Sequence, residues 1–138
     1  MSTVETTIAN TQRDIARIPQ LVAGLAVTHG LSSNVVSDLN VALDEVLSNI
    51  IKYGYADDRV HTIRVRLTVS KDLIEAEIED DGMPFNPLAS LEPDVKAPLN
   101  ERRIGGLGIH FAKNLMTEIS YNRVGDRNRL VLRKNLMA

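Results

Sequence analysis

The sequence contains no cysteine and few aromatic residues, only three tyrosines and two phenylalanines. Without cysteine, disulfides, thiolate catalysis and cysteine-ligated zinc are excluded. A net charge of -2 gives no general attraction to nucleic acid or to anionic membranes. No apolar run approaches the roughly 20 residues of a membrane span, and the first residues lack the basic start of a signal peptide. We therefore expect a cytoplasmic protein without a nucleic-acid or membrane partner.

The hydrophobic pattern predicts a single α+β domain over residues 1–138. Alternating apolar and polar residues predict strands near 4–8, 63–69, 74–78, 119–123 and 129–133. Helical periodicity occurs twice before the second strand and once after Gly108, and Pro19 either begins the first helix or kinks it. Residues 125–128 suit a hairpin turn. This order predicts a two-layer sandwich, a mostly antiparallel sheet with helices on one face.

The stretch 39–55, LNVALDEVLSNIIKYGY, predicts one long helix that carries Glu45 and Asn49 on the same face. Apolar residues recur at helical spacing on the opposite side. A carboxylate can polarise an attacking hydroxyl, and an amide oxygen is a hard ligand suited to Mg²⁺. The alternative is a solvated helix face, since Asp38 and Lys52 roughly share it.

The parity of the strand near 74–78 places Asp80 on its apolar face. Burying a carboxylate is costly unless it is hydrogen-bonded. A buried carboxylate could accept a hydrogen bond from an exocyclic amine, as adenine offers. Alternatively Asp80 caps the following turn. Gly82 either lets the backbone approach a ligand or simply makes that turn.

Residues 86–104 show no periodicity and are interrupted by three prolines. A loop of this length is often a functional lid or a disordered insert. It ends in the Gly-Gly-Leu-Gly sequence at 105–108, which opens an apolar helix and can aim backbone N–H groups at phosphate or act only as a hinge. Arg102 and Arg103 can neutralise phosphate or lie on an ordinary surface.

The three signals occur in a specific order: E-x-x-x-N on a helix, then D-D-G-M-P-F after a strand, then G-G-L-G before a helix. This order resembles the N, G1 and G2 boxes of the GHKL (Bergerat-fold) ATPase superfamily. Within that superfamily the chain resembles the small anti-sigma factor serine/threonine kinases, most closely in LNVALDEVLSNIIKYGY and RRIGGLGIHFAKNLMTEISY. The resemblance covers almost the whole chain.

The resemblance implies a Bergerat-type ATP-binding fold and a role for each matching residue. Glu45 is implied as the catalytic base and Asn49 as the Mg²⁺ ligand. Asp80 is implied to bind the adenine amino group, with Gly82 shaping its turn. The implied phosphate-binding residues, with a lid at about 86–104 and with one of the two arginines on the terminal phosphates, are Arg102, Arg103, Gly105, Gly106, Leu107 and Gly108.

The same resemblance implies a kinase that uses Mg-ATP to phosphorylate a serine or threonine of a STAS-domain antagonist. The resemblance further implies that, once the antagonist is phosphorylated, the kinase is free to hold a sigma factor inactive. Kinases of this family are usually homodimers. Two alternatives stay open: a docking module that binds ATP without phosphotransfer, and the detached catalytic domain of a histidine kinase. The histidine-kinase alternative requires a helix pair that presents a phospho-acceptor histidine, and this chain lacks it.

One position differs from the family pattern. The G1 box of the superfamily is D-x-G-x-G, and here the second glycine is replaced by Pro84. Proline fixes the backbone and donates no N–H. The replacement therefore predicts an altered loop on the adenine side and a weaker affinity for the nucleotide.

Overall fold

The computed structural model describes residues 2–86 and 112–136. In these ranges five antiparallel strands form one sheet in the order β1-β2-β3-β5-β4. The predicted α+β fold is confirmed. The strands and helices, in chain order, are β1 (Ser2–Ala9), α1 (Gln12–Ile15), α2 (Ile18–His29), α3 (Ser33–Tyr53), β2 (Thr62–Val69), β3 (Leu73–Asp80), β4 (Glu118–Val124) and β5 (Arg127–Asn135).

The core lies between one face of the sheet and the helices. Successive side chains of a strand point to opposite faces, so the apolar sets of β2 and β3 fall on one side. Their buried members join one cluster with the apolar stripe of α3. On the other face, Arg64 Nη2 lies 2.8 Å from Glu79 Oε2, and Arg66 Nη2 lies 2.6 Å from Glu77 Oε2. These two arginines are thus paired with carboxylates of the neighbouring strand and do not form a positively charged surface.

The helix boundaries follow local capping. Ser32 caps the start of α3, where its side chain accepts a hydrogen bond from Val35 N. Gly30 ends α2 in the left-handed conformation, with φ 64°. Pro19 lies in the first turn of α2, where its missing N–H costs nothing, so of the two alternatives the one that places Pro19 at the start of the helix is confirmed. No helix in the described part of the chain has the length and apolar content that crossing a membrane requires.

The turn between β4 and β5 is shorter than the predicted 125–128. Val124 pairs directly with Arg127, which leaves a two-residue turn in which Gly125 has φ 61°. A two-residue turn that begins with glycine matches the twist of the flanking strands. Asn128 therefore belongs to β5, and its parity with Leu130 places it on the buried face, where it is 4% exposed.

Candidate functional site

The helix α3 carries the predicted pair Glu45 and Asn49. Asn49 is only 4% exposed, whereas Glu45 is half-buried. Asn49 follows Val46 by three residues, so it borders the apolar stripe instead of lying opposite it. Two expectations for Asn49 are therefore wrong. It does not lie on the side of α3 opposite the apolar stripe, and it does not lie on a solvated face of the helix. A buried polar side chain on a core helix needs a specific partner.

Asn49 finds that partner within the helix. Its Nδ2 donates to the backbone O of Glu45 at 2.7 Å. The bond occupies the donor side of the amide, and the oxygen is the atom with the chemistry to bind Mg²⁺. Mg²⁺ commonly takes one or two protein ligands and completes its shell with phosphate oxygens and water. A single amide oxygen fits that pattern.

Asp80 ends β3 and is 2% exposed, which confirms the burial predicted from strand parity. Its Oδ1 accepts from Gly82 N at 2.9 Å and from Asn128 Nδ2 at 3.0 Å. The interpretation of Asp80 as a turn cap is therefore confirmed for this one oxygen. Burial raises the pKa of the Asp80 carboxyl, although the hydrogen bonds from Asn128 and Gly82 oppose that rise. Its role toward adenine stays a prediction.

The turn after Asp80 is attached to the C-terminal end of α3. Met83 N donates to Gly54 O at 2.9 Å, and the rings of Tyr53 and Phe85 have centroids 6.3 Å apart. A Cβ at Gly82 would lie only 2.4 Å from Gly54 O. This contact brings the Asp80 turn to the end of the helix that carries Asn49 and Glu45.

Replacing Gly82 with alanine should lower the free energy of unfolding by about 1–3 kcal/mol, because the new methyl group collides with backbone rather than with a side chain that can move. Gly24→Ala is the matched control, since a Cβ at that exposed helical position meets nothing within 4 Å. Alanine is the better helix former, so the control should be neutral or stabilising by less than about 1 kcal/mol. Urea unfolding measures both. Equal stability of Gly82→Ala and wild type would contradict the tight contact with Gly54.

Asn128 is a buried residue of this site that the sequence did not predict. It is the cross-strand partner of Asp80, and its Nδ2 also donates to Met83 O at 2.7 Å. The predicted four-residue turn had assigned Asn128 to a loop. The parity of Leu130 and Leu132, extended by two residues toward the N-terminus, is the signal that places Asn128 on the buried face.

A histidine joins the Asp80 turn to the connection after α3. His61 Nε2 lies 2.8 Å from Asp57 Oδ1, and His61 Nδ1 lies 3.2 Å from Asp81 Oδ1. Its ring stacks on Tyr55 with centroids 4.4 Å apart. Burial, and then the charges of Asp80 and Asp81, raise the pKa of Tyr55, whose buried hydroxyl has no hydrogen-bond partner among the described residues.

The contacts of His61 predict a pH dependence of stability. The hydrogen bond to Asp57 raises the pKa of His61, with Asp81 adding to the rise. Protonated His61 therefore stabilises the folded state fully below its ordinary pKa of 6.5. That stabilisation is lost as the pH rises through the higher folded pKa. The partner Asp57, whose pKa is lowered by the same hydrogen bond, stays ionised throughout this range.

Wild type should thus lose more unfolding free energy than His61→Gln between about pH 6 and about pH 9. Denaturant unfolding at several pH values measures this difference. His29→Gln, which changes an exposed histidine at the end of α2, is the control and should keep the wild-type dependence. The same pH dependence in His61→Gln and wild type would show that the two carboxylate contacts do not stabilise the imidazolium.

Several predicted site residues lie outside the described residues. These are Arg102, Arg103, Gly105, Gly106, Leu107 and Gly108, together with all of the predicted loop 86–104 except Asn86. The described part of the site thus consists of the pair on α3, the turn after β3 and Asn128 on β5.

A family model for the histidine kinase-like ATPase domain matches residues 8–134. The serine-protein kinase RsbW of Listeria monocytogenes is 26% identical over 102 residues, which cover 71% of this chain and 65% of that protein. The serine/threonine-protein kinase BtrW of Bordetella bronchiseptica is 27% identical over 94 residues, which cover 68% of this chain and 66% of that protein. The match therefore spans just under two thirds of the length of each relative.

Two solved structures have a similar fold. The RsbU and RsbW domains of Rv1364c from Mycobacterium tuberculosis give a TM-score of 0.68 at 14% identity, covering 99% of this chain and 33% of that chain. The histidine kinase domain of the blue-light activated histidine kinase from Erythrobacter litoralis EL346 gives 0.56 at 15% identity, covering 91% and 60%. At these identities the likeness establishes the fold alone.

Proposed function

The chain belongs to the histidine kinase-like ATPase domain family, and from this premise we propose that it is a serine/threonine kinase that uses Mg-ATP to phosphorylate a STAS-domain antagonist and so regulates a sigma factor. The observation that carries the proposal is the attachment of the Asp80 turn to the end of α3 at Gly54. It joins a buried carboxylate to the helix of Glu45 and Asn49. The names of the relatives, serine-protein kinase and serine/threonine-protein kinase, support the reaction type.

Asp80 would recognise the nucleotide base. Its Oδ1 already accepts two hydrogen bonds, from Gly82 and Asn128, so Oδ2 is the oxygen to which we assign the adenine amino group. An acceptor oxygen at this position favours a base with an exocyclic amine over a base without one. Gly82 keeps the turn close to Gly54, where no larger residue fits.

Glu45 and Asn49 would serve the reaction at the phosphate end. Bound Mg-ATP supplies the γ-phosphoryl group and the cation that offsets its charge. Glu45 accepts the proton of the attacking serine or threonine hydroxyl. Asn49 offers its oxygen to the cation, held in place by its bond to the backbone of Glu45. The loop residues Arg102 and Arg103 and the glycines of 105–108 complete the phosphate site in this proposal.

Transfer of labelled γ-phosphate from Mg-ATP to a panel of STAS-domain proteins tests the function. We expect label on one of them, in an acid-stable ester. Acid-labile phosphate on a histidine would point instead to a histidine-kinase catalytic domain. No transfer, with a STAS-domain protein bound and with ATP raising the melting temperature, would make the chain an ATP-binding docking module.

A further inference from the structure

Asn128 makes hydrogen bonds through both ends of its side-chain amide, although it is buried. Its Nδ2 donates to Asp80 Oδ1 at 3.0 Å and to Met83 O at 2.7 Å. Its Oδ1 accepts from Phe85 N at 3.3 Å. Two side chains from β4 also donate to Oδ1, namely the hydroxyl of Tyr121 and Arg123 Nη1. One amide thus connects the carboxylate of Asp80 to the turn that follows it and to the neighbouring strand.

The two backbone bonds of Asn128 flank Pro84. Proline has no N–H to donate, so the turn cannot be fastened by the amide of residue 84 itself. Asn128 instead holds the carbonyl before the proline and the N–H after it. Only a side chain that both donates and accepts can make these two bonds together, and a primary amide does so in one rigid plane.

The same amide fixes the orientation of Asp80. Because Oδ1 accepts from Asn128 Nδ2 as well as from Gly82 N, the carboxylate is held in one rotation, and Oδ2 is the oxygen left for a ligand in the proposed role. A carboxylate free to rotate could turn either oxygen toward a ligand or bond only within the protein. A carboxylate oxygen fixed in place distinguishes a base that offers a hydrogen-bond donor from a base that offers an acceptor. If the base offers an acceptor, both it and the carboxylate oxygen are left without a hydrogen bond.

We infer that Asn128 is a positioning residue that sets base specificity, by orienting Asp80 and by fastening the turn around Pro84. This inference rests on the proposed role of Asp80 toward adenine. It extends that role, because it assigns the preference for a 6-amino purine to a residue on β5 that itself need not touch the base.

The test compares the dissociation constants of Mg-ATP and Mg-ITP, since inosine carries an oxygen where adenine carries the amino group. Wild type should bind Mg-ATP more tightly. Asn128→Ala should lower the preference for Mg-ATP by about tenfold, the effect expected from one misdirected buried hydrogen bond. Asn122→Ala, an exposed asparagine on β4, is the control and should keep the wild-type ratio.

Tyr121→Phe provides a milder variant if Asn128→Ala does not fold. It removes only the hydroxyl that donates to Asn128 Oδ1 and should lower the same ratio by about two- to threefold, because a single neutral hydrogen bond contributes little net free energy. Equal weakening of both nucleotides, with the ratio unchanged, would assign Asn128 a purely structural role and overturn the inference. A wild type without preference for Mg-ATP would overturn the adenine role of Asp80 and, with it, the inference.

Discussion

Replacing Glu45 with glutamine should slow phosphate transfer to the antagonist by about 10²- to 10⁴-fold, the range that a positioned general base contributes. Binding of Mg-ATP should change little. Asn49 is held by the backbone O of Glu45 and not by its carboxylate, so the substitution leaves the cation ligand in place. Glutamine has the same shape as glutamate and is a good helix former. The loss should therefore fall on the chemical step, and single-turnover transfer at saturating Mg-ATP measures it.

Asp44→Asn is the matched control, because Asp44 precedes Glu45 on the same helix and is exposed. It should transfer phosphate at the wild-type rate. If Glu45→Gln also does so, Glu45 is not the base, and positioning alone accounts for the reaction. If both variants are slow, the negative charge of this part of α3, and not a single carboxylate, is what the antagonist requires.

The local part of this site could be predicted from the sequence. Alternation in β3 is strict, so the parity that buries Ile74, Ala76 and Ile78 also buries Asp80, two positions further on. The cap of α3 at Ser32 follows from the same kind of short-range rule. Such features depend only on residues close in sequence, so a single sequence is enough to predict them.

The errors arose where distant segments meet. Asn128 is paired with Asp80 across the sheet, 48 residues apart in sequence, and this pairing belongs to the register of β3 and β5. Whether β5 already includes Asn128 depends on whether the hairpin turn before it has two or four residues, which its glycine and aspartate alone do not decide. Asn49 was misplaced for a different reason. The buried face of α3 also includes Ala42, so its stripe is wider than the large apolar residues indicate.

Asp80→Asn should abolish the stabilisation that Mg-ATP gives the wild type. At about 100 times its dissociation constant a ligand stabilises the folded state by about 2.7 kcal/mol, which for a domain of this size raises the melting temperature by about 5–15 °C. The variant should remain folded without ligand. Burial raises the pKa of Asp80 because it disfavours the charged form, and a neutral amide of the same shape avoids that cost while its oxygen still accepts from Gly82 N.

A variant of Asp81 is the control that distinguishes the role of Asp80 from the effect of negative charge in the turn. Asp81 has a side chain 40% exposed, so Asp81→Asn should keep the shift with Mg-ATP. A full shift in Asp80→Asn would show that the carboxylate does not select the base. No shift in the wild type at saturating Mg-ATP would have a different meaning. Pro84 would then have replaced a backbone donor that the nucleotide requires, and the turn held by Asn128 would belong to a docking module and not to an ATP site.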